Sequence, residues 1–286
     1  MKLQLGPEII NSYKRLAYTH WYALAEFIDN STQAYFDNKE ELDAIFSKKG
    51  ESLSIHVNYG SDEGGDYLSI EDNSIGMSKE ELEKAVIIGL PPEDTSGRSK
   101  YGLGLKTAAC WFGDLWTITT KKLGDNTEHF ITINVPKIAS RNLDLDHHEN
   151  NKPAEEHYTI IKIRNLHRKF TGGNVRKTKD YLRSMYRVDI NEYGLRIYWQ
   201  GDLLNWNMEE EIDRRLLLNR EGGLVKRGFE FDIGAKKVEG WAGVFEKGSR
   251  ADAGFSIIQS KRVIKGWPSS YRPQMLFGSQ EGGRND

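Results

Sequence analysis

The sequence contains very little cysteine: Cys110 stands alone among 286 residues. An intramolecular disulfide is therefore excluded, and so is a zinc cluster built from cysteines. Cys110 lies in the apolar run at residues 108–112, which is typical of a small buried hydrophobic side chain. Long hydrophobic runs are also missing, because no stretch approaches the roughly 20 apolar residues of a membrane-spanning helix. We therefore expect no membrane partner.

The chain also lacks an excess of charge. Its 40 basic and 42 acidic residues give a formal net charge of −2, so the molecule as a whole has no attraction to nucleic acid or anionic lipid. No signal peptide is recognisable, and a cytoplasmic location is the expectation. Hydrophobic residues make up 38% and aromatic residues 11%, which argues against general disorder and predicts a soluble globular protein.

The order of periodic segments predicts an α+β fold, because helices and strands do not alternate regularly. A capping box, Ser78 with Glu81, predicts the start of a helix. Two polar segments, residues 89–98 and 141–156, are expected to be loops. The expected helices cover residues 7–36, 78–88, 102–112 and 175–186. The expected strands cover residues 53–58, 67–71, 116–121, 129–135, 158–164, 195–199, 228–233, 238–245 and 254–259.

A change of pattern near residue 170 predicts two domains, residues 1–170 and 171–286. The second contains one helix followed by short strands, which indicates a smaller α/β unit. Residues 278–286 carry no helix-stop signal. Such an end is typical of a cut inside a longer protein or of a natural flexible terminus, so the second domain is expected to be incomplete or to end in a tail.

The first motif that carries chemistry lies on the expected first helix. Glu26 and Asn30 are four residues apart and opposite the apolar stripe, so their side chains rise from one face. This spacing is also typical of a solvated polar face. The functional interpretation is that Glu26 activates a water molecule for attack on a phosphate, while the Asn30 amide oxygen holds Mg²⁺.

The second motif is an acidic glycine turn, residues 71–77, after an expected strand. Asp72 would sit at the strand's end, where a carboxylate can accept a hydrogen bond from the exocyclic amine of adenine. Gly76 would let the chain turn tightly beside the base. An ordinary turn is an equally good explanation of this motif by itself.

The third motif, residues 101–106, opens an expected helix with Gly102 and Gly104. Free backbone N–H groups and the positive end of the helix dipole form an anion site there. Lys100 and Lys106 would add positive charge near the phosphates. A glycine pair before a helix often has no such role, but the three motifs in this order indicate an ATP site.

The three segments together resemble the conserved boxes of the GHKL ATPase superfamily, which includes the ATPase subunit of DNA gyrase, the ninety-kilodalton heat-shock chaperones, histidine kinases, MutL and the MORC ATPases. Their order and spacing match across roughly residues 8–165. The strand that begins Tyr158-Thr159 resembles a later strand of the family whose threonine assists adenine binding. The resemblance implies a Bergerat-type ATP-binding α/β sandwich followed by a transducer-like domain.

The roles that the resemblance implies are Glu26 as general base, Asn30 as Mg²⁺ ligand and Asp72 as adenine anchor. Residues 89–101 would form the ATP lid. The residues implied to contact ATP are Asn30, Asp72, Gly76, Met77, Lys100, Gly102, Leu103, Gly104, Leu105, Lys106 and Thr159. The sequence departs from the family pattern at Ser74 and Ser99, where the family usually has glycine. The second departure puts the lid geometry near the γ-phosphate in doubt.

The branch of the superfamily is indicated by two features. Glu26 is present where histidine kinases normally lack a catalytic glutamate, and residues 254–267 most resemble MORC-type and related prokaryotic ATPases. In such families a lysine of the second domain contacts the γ-phosphate, and Lys261 is the candidate here, with Lys265 as the alternative. A lysine in a polar turn before a strand is more commonly just a solvated side chain.

Two further clusters carry weaker signals. Basic residues at Arg164, His167, Arg168, Lys169, Arg176, Lys177 and Lys179 would suit nucleic acid, although interspersed surface charge is the commoner explanation. The pair His147-His148 lies in the expected polar loop without a second pair of ligands, so no metal site is expected there.

The resemblance implies an ATP-dependent clamp or switch that forms a homodimer on binding ATP and hydrolyses it slowly through Glu26. DNA or a client protein would be its partner. Two alternatives stay open: a nucleotide-sensing scaffold with negligible hydrolysis, and a chaperone-like ATPase. The intact pair of Glu26 and Asn30 argues against the scaffold, whereas Ser99 leaves room for it.

Overall fold

The structure is a computed structural model that describes residues 6–87, 98 and 103–278, apart from the Glu209 side chain. The expected lid therefore lies outside the described residues except for Arg98, and so do Lys100 and Gly102. Contacts divide the chain into two compact units: Met1–Arg183 with Asp189–Leu204, and Ser184–Val188 with Asn205–Asp286. The expected boundary at residue 170 falls inside the first unit, and the functional division there stays a prediction.

The α+β class expected from the sequence is confirmed, because a large mixed sheet and helices follow one another irregularly. A 3-10 helix, Pro7–Arg15, comes first. The α-helices are α1 (His20–Asp37), α2 (Lys39–Lys49), α3 (Lys79–Val86), α4 (Gly104–Phe112), α5 (Val135–Ala139), α6 (Gly172–Met185), α7 (Arg187–Tyr193), α8 (Met208–Arg215) and α9 (Gln274–Phe277).

The strands form one large sheet in the first unit and two small hairpins in the second. Their bounds are β1 (Ser54–Asp62), β2 (Gly65–Asp72), β3 (Gly113–Lys121), β4 (Thr127–Asn134), β5 (Asp146–Asn151), β6 (Tyr158–Leu166), β7 (Arg196–Trp199), β8 (Asp202–Leu203), β9 (Lys226–Ile233), β10 (Lys236–Gly243), β11 (Ile257–Gln259) and β12 (Arg262–Lys265). The large sheet has the order β5-β4-β3-β6-β2-β1-β7-β8, and β7 runs parallel to β1.

The core of the first unit is built on one face of this sheet. Directly paired residues of six neighbouring strands form a buried apolar row: Ile131, Ile118, Ile161, Ile70, Val57 and Trp199. Helix α1 packs on this face, since Ser31 of α1 bonds to the Asp72 carboxylate at the end of β2. Side chains two residues away along a strand point to the same face, so the next row also lies beneath the helices.

That next row is polar at its centre. It runs through His129, Thr120, Thr159, Asp72, Ile55 and Ile197 in the order of the strands. The pairing register therefore brings together Asp72 and Thr159, which the sequence keeps 87 positions apart, with Thr120 beyond them. Buried polar side chains need hydrogen-bond partners, and the Thr120 and Thr159 hydroxyls supply one to each other between β3 and β6.

The structure differs from the expected elements in several places. The single helix expected over residues 7–36 is broken, because Leu16 and Thr19 are extended and the Trp111 indole donates to the Leu16 carbonyl at 3.0 Å. Helix α2 was not expected. The loop expected over residues 141–156 is wrong in its middle, where β5 forms the sheet edge. All residues of β5 are exposed, so it lacks the apolar alternation that identifies a strand.

The second unit contains the hairpins β9-β10 and β11-β12. The turn between β11 and β12 consists of Ser260 and Lys261, both in the left-handed region with φ of 48° and 62°. This is the backbone of a tight two-residue hairpin turn. Among the described residues, the helices are all too short or too polar to cross a membrane.

Candidate functional site

Helix α1 presents Glu26 and Asn30 on one face, one turn apart, and both side chains are half-buried. The Tyr18 hydroxyl donates to Glu26 Oε1 at 3.3 Å and lies 3.1 Å from the Thr107 hydroxyl. Burial raises the pKa of Tyr18, so this phenol stays protonated at neutral pH. The Glu26 carboxylate is thereby linked to the first turn of α4.

Gly104, the first residue of α4, lies against the Glu26 carboxylate. A Cβ atom on Gly104 would lie 2.0 Å from Glu26 Oε2, which is far inside van der Waals contact. Only glycine therefore lets the carboxylate approach this helix end. The sequence motif predicts that glycine at this position lets the backbone come close to phosphates. In the structure, Gly104 also leaves room for the Glu26 carboxylate.

The Asp72 carboxyl group is buried at the end of β2, with 7% of the residue exposed. The Ser31 hydroxyl donates to Oδ2 at 2.6 Å and the Ser74 amide donates to Oδ1 at 2.9 Å. Burial raises the pKa of Asp72 to about 6, against these two hydrogen bonds, which lower it. The carboxylate is fixed in orientation and is ionised at neutral pH.

Two threonine hydroxyls lie beside this carboxylate in the strand pairing, on β6 and β3. Thr120 Oγ1 lies 3.1 Å from Thr159 Oγ1 and accepts the Met77 amide at 2.9 Å. The Thr120 side chain is fully buried and Thr159 is half-buried. Thr159 and the Met77 amide are thus linked through Thr120, and strand pairing places Asp72 beside Thr159.

Gly76 is required by the shape of the turn that follows Asp72. Its φ is +75°, a conformation that side chains disfavour. A Cβ there would lie 1.9 Å from the Lys121 carbonyl oxygen. The turn is fixed on its other side by His157, whose Nδ1 lies 2.9 Å from the Ser74 carbonyl oxygen. Ser74 itself is buried, and its hydroxyl has no hydrogen-bond partner among the described residues.

The start of α4 contains the remaining described residues of the third motif. Leu103 accepts the Thr107 amide at 2.9 Å, and Leu105 is half-buried. Lys106 is buried, with 4% exposed, and its ammonium donates to the Ile87 carbonyl at 2.7 Å. Burial lowers the pKa of Lys106 to about 8. Lys106 thus joins the end of α3 to the start of α4, on either side of the undescribed segment.

Arg98 is the described part of the expected lid, and it is bound to two helices. Its guanidinium forms a two-pronged ion pair with Asp189 of α7, at 2.6 and 3.0 Å, and donates to the Thr32 hydroxyl of α1 at 3.0 Å. The Arg98 amide donates to the Gln33 side chain at 3.0 Å. Both charged side chains are almost fully buried, at 5% and 1% exposed, which makes this ion pair a fixed anchor.

Sequence reasoning missed the supporting residues Tyr18, Ser31, Thr120 and Asp189. Ser31 carried a weak signal, because it extends the polar run that begins at Asp29 on a helix with an apolar stripe. Asp189 carried none. Lys261 lies at the tip of its hairpin in the second unit, and Lys265 lies 3.3 Å from the Ser269 hydroxyl. The role of either lysine as a phosphate sensor stays a prediction.

The basic cluster expected as a nucleic-acid surface is largely paired with carboxylates. Arg164 bonds to Asp62 through both terminal nitrogens at 2.7 Å. Lys169 lies 2.7 Å from Asp66, and Lys179 lies 3.3 Å from Asp202. Each pair neutralises part of the charge that phosphates would need, and a nucleic-acid role for the cluster stays a prediction.

Asn30 fits Mg²⁺, because an amide oxygen is a hard oxygen ligand of the kind that this ion takes. The oriented Asp72 carboxylate fits a ligand with an exocyclic amine, because it can accept a hydrogen bond from that group.

A family model described as histidine kinase-, DNA gyrase B- and HSP90-like ATPase matches residues 18–164. The match contains all three motifs and Thr159, and it covers more than half of the chain. No curated protein matches the chain.

Proposed function

Because the chain belongs to the histidine kinase-, DNA gyrase B- and HSP90-like ATPases, we propose that it binds ATP with Mg²⁺, hydrolyses it slowly and uses the cycle as a dimeric clamp or switch. The observation that carries the hydrolytic part is the contact of the Glu26 carboxylate with Gly104, at the start of α4. A base and an anion-binding helix end are needed at the same point for attack on a phosphate.

Asp72 and Thr159 would bind the adenine base. The ionised Asp72 carboxylate would accept a hydrogen bond from the exocyclic amine, while Ser31 and the Ser74 amide hold it in place. Thr159, beside Thr120 and the Met77 amide, would line the pocket. Because Asp72 accepts hydrogen bonds only, this arrangement favours adenine over guanine, whose corresponding position carries a carbonyl oxygen.

Glu26 would act as the general base. Its carboxylate would accept a proton from the attacking water, and Tyr18 would orient the carboxylate through Oε1. The first amides of α4 would stabilise the negative charge of the phosphate oxygens. Mg²⁺, held by Asn30 and the nucleotide, would neutralise part of the phosphate charge.

The clamp follows from the family resemblance together with the lid's anchor. Arg98 is fixed to α1 and α7, so this residue of the expected lid would have a rigid support. Lid closure can make a conformational step slower than chemistry. The likeness of residues 254–267 to MORC-type ATPases favours DNA or a protein partner, with Lys261 as the sensor of the γ-phosphate.

The test is ATP turnover with Mg²⁺, measured beside nucleotide binding for the wild type and Glu26→Gln. General-base catalysis typically contributes about 10²- to 10⁴-fold, so turnover should fall by about 100-fold or more while ATP binding is retained. Glu40→Ala, an exposed glutamate at the start of α2, is the matched control and should behave like the wild type.

Molecular mass in solution with a non-hydrolysable ATP analogue tests the clamp, and both the wild type and Glu26→Gln should form dimers. Nucleotide binding without turnover that depends on Glu26 would support the nucleotide-sensing scaffold instead. Failure of the wild type to bind any nucleotide would overturn the whole proposal.

A further inference from the structure

Two histidines and a glutamate converge at the edge of the large sheet, away from the residues assigned to ATP. His129 Nδ1 lies 3.3 Å from His147 Nε2, and Glu149 Oε1 lies 3.7 and 3.8 Å from these two nitrogens. His129 is buried, whereas His147 and Glu149 belong to the exposed strand β5. Three potential ligand atoms thus form a compact triangle that is open on one side.

Strand register creates this triangle. His129 pairs directly with Glu149, and His147 pairs with Ile131, two residues further along β4. The three side chains therefore point to one face of the sheet, and His148 points to the other. The sequence analysis expected a loop here and no metal site. With β5 formed, His129 becomes the additional ligand that the sequence alone did not place near His147.

We propose that His129, His147 and Glu149 bind a divalent transition-metal ion of the zinc class. Imidazole nitrogens and carboxylate oxygens bind Zn²⁺ at about 2.0–2.2 Å, so ligand atoms around a tetrahedral ion lie about 3.3–3.5 Å apart. The three distances between the ligand atoms, 3.3, 3.7 and 3.8 Å, would reach this range with only small side-chain movements. Water would complete the coordination, because the site is open to solvent.

The positively charged side chain of Lys79 lies next to the proposed metal site. The Lys79 ammonium, at the start of α3, lies 3.1 Å from Glu149 Oε1. A bound metal ion would compete with this ammonium for the carboxylate. Lys79 is half-exposed, so its side chain can leave without creating a buried unpaired charge.

The consequence would be a connection between the sheet edge and the proposed base pocket. His129 occupies the same row as Thr120, Thr159 and Asp72. The metal ion would hold the edge strand β5 to β4 at the end of this row. It would also free α3, which follows the Gly76 turn, from its ion pair with Glu149.

The experiment uses the chain without a histidine tag and without nucleotide. Zn²⁺ binding is measured by calorimetry, and Co²⁺ binding by the visible absorption of the metal ion. One equivalent should bind to the wild type. His147→Ala and Glu149→Gln should each weaken binding by at least about 10-fold to 100-fold, the loss that even outer-sphere changes cause. Both residues are exposed, so neither change should prevent folding.

His148→Ala is the matched control, because it removes the adjacent histidine from the opposite face. It should bind Zn²⁺ like the wild type, and Zn²⁺ should raise the melting temperature of both proteins but not of His147→Ala. Lys79→Ala should bind Zn²⁺ more tightly. Equal Zn²⁺ affinity in His147→Ala and the wild type, or an equal loss in His148→Ala, would overturn the proposal.

Discussion

The candidate site has two halves that are built differently. The sheet-borne half, Asp72 with Thr120 and Thr159, is held by neighbouring strands and by hydrogen bonds among buried groups. The helix-borne half, Glu26 with Gly104, lies where α1 meets the start of α4, and Tyr18, which contacts Thr107, bonds to the carboxylate. Strand pairing fixes the position of a side chain through many backbone hydrogen bonds. The position of the Glu26 carboxylate depends instead on a few side-chain contacts.

This difference has a functional meaning. A rigid, buried half suits recognition of a ligand, because the groups pay little to be ordered on binding. A half held by individual side chains, and continued by the expected lid, suits steps that open and close. Changes in the sheet-borne half should therefore alter nucleotide affinity. Changes around the helix-borne half should alter turnover and local stability.

The largest expected effect is a loss of stability on breaking the buried ion pair between Arg98 and Asp189. Asp189→Ala would remove the buried carboxylate that bonds to both terminal nitrogens of the Arg98 guanidinium. Breaking one partner of a buried ion pair typically costs about 3–5 kcal/mol. We expect a loss of that size in the free energy of unfolding, measured by urea denaturation, together with lower ATP turnover.

Asp180→Ala is the control for this anchor, because Asp180 pairs with Arg183 at 2.7 Å on a more exposed part of α6. Partly exposed pairs contribute about 0–1 kcal/mol, so this variant should lose little. An equal loss of unfolding free energy in the two variants would contradict a larger contribution from the ion pair between Arg98 and Asp189.

The second expected effect is on the turn beneath the base pocket. Gly76→Ala places a Cβ against the Lys121 carbonyl and in a left-handed conformation. The conformation alone costs about 1–2 kcal/mol, and the clash adds to it, so both unfolding free energy and ATP affinity should fall. Gly124→Ala has a similar φ of +84° and open space around it. Gly124→Ala should therefore lose only the unfolding free energy that the left-handed conformation costs. An equal loss in both variants would contradict the steric argument.

The next expected effect, on ATP affinity, comes from Asp72→Asn, which keeps the shape of the side chain and removes its charge. A hydrogen bond to a charged group contributes about 1.5–3 kcal/mol, so ATP should bind about 10-fold to 100-fold more weakly at pH 7.5. Binding is measured by calorimetry. Because the change lies in the sheet-borne half, turnover at saturating ATP should change less than affinity.

The same variant tests the pKa of Asp72, which burial raises to about 6 from 3.8. A carboxyl whose pKa is raised by folding stabilises the protein below pH 4, and this contribution is lost as the pH rises to about 6. Asp72 should therefore lower the unfolding free energy by up to about 3 kcal/mol across this range. Asp72→Asn should remove that dependence, and a profile identical to the wild type would show that Asp72 titrates normally.

Local patterns in the sequence predicted local features well. The capping box at Ser78 and Glu81 is present, with the Ser78 amide donating to Glu81 Oε2 at 2.7 Å. The central strands were predicted because their apolar residues alternate, as in the run from Trp116 through Ile118. Each signal lies within a few residues, so it needs no knowledge of the rest of the chain.

Features that depend on distant residues were not predicted. Strand β5 is polar because it lies at an exposed edge, so its sequence resembles a loop. Arg98 and Asp189 are 91 positions apart. The sequence around either residue gives no sign that the two charges form an ion pair. The break after Leu16 likewise depends on a hydrogen bond from Trp111. Such contacts are decided when the chain folds back on itself.

The sequence by itself determined the kinds of groups available and their local geometry: a glutamate and an asparagine one helical turn apart, a carboxylate at the end of a strand, and glycines where a turn and a helix begin. These follow from helix and strand periodicity. Only the tertiary structure decided that Glu26 meets Gly104, that Asp72 lies in one row with Thr159 and Thr120, and that His129 meets His147. The reason is that strand register and helix packing fix the distances between residues far apart in the chain.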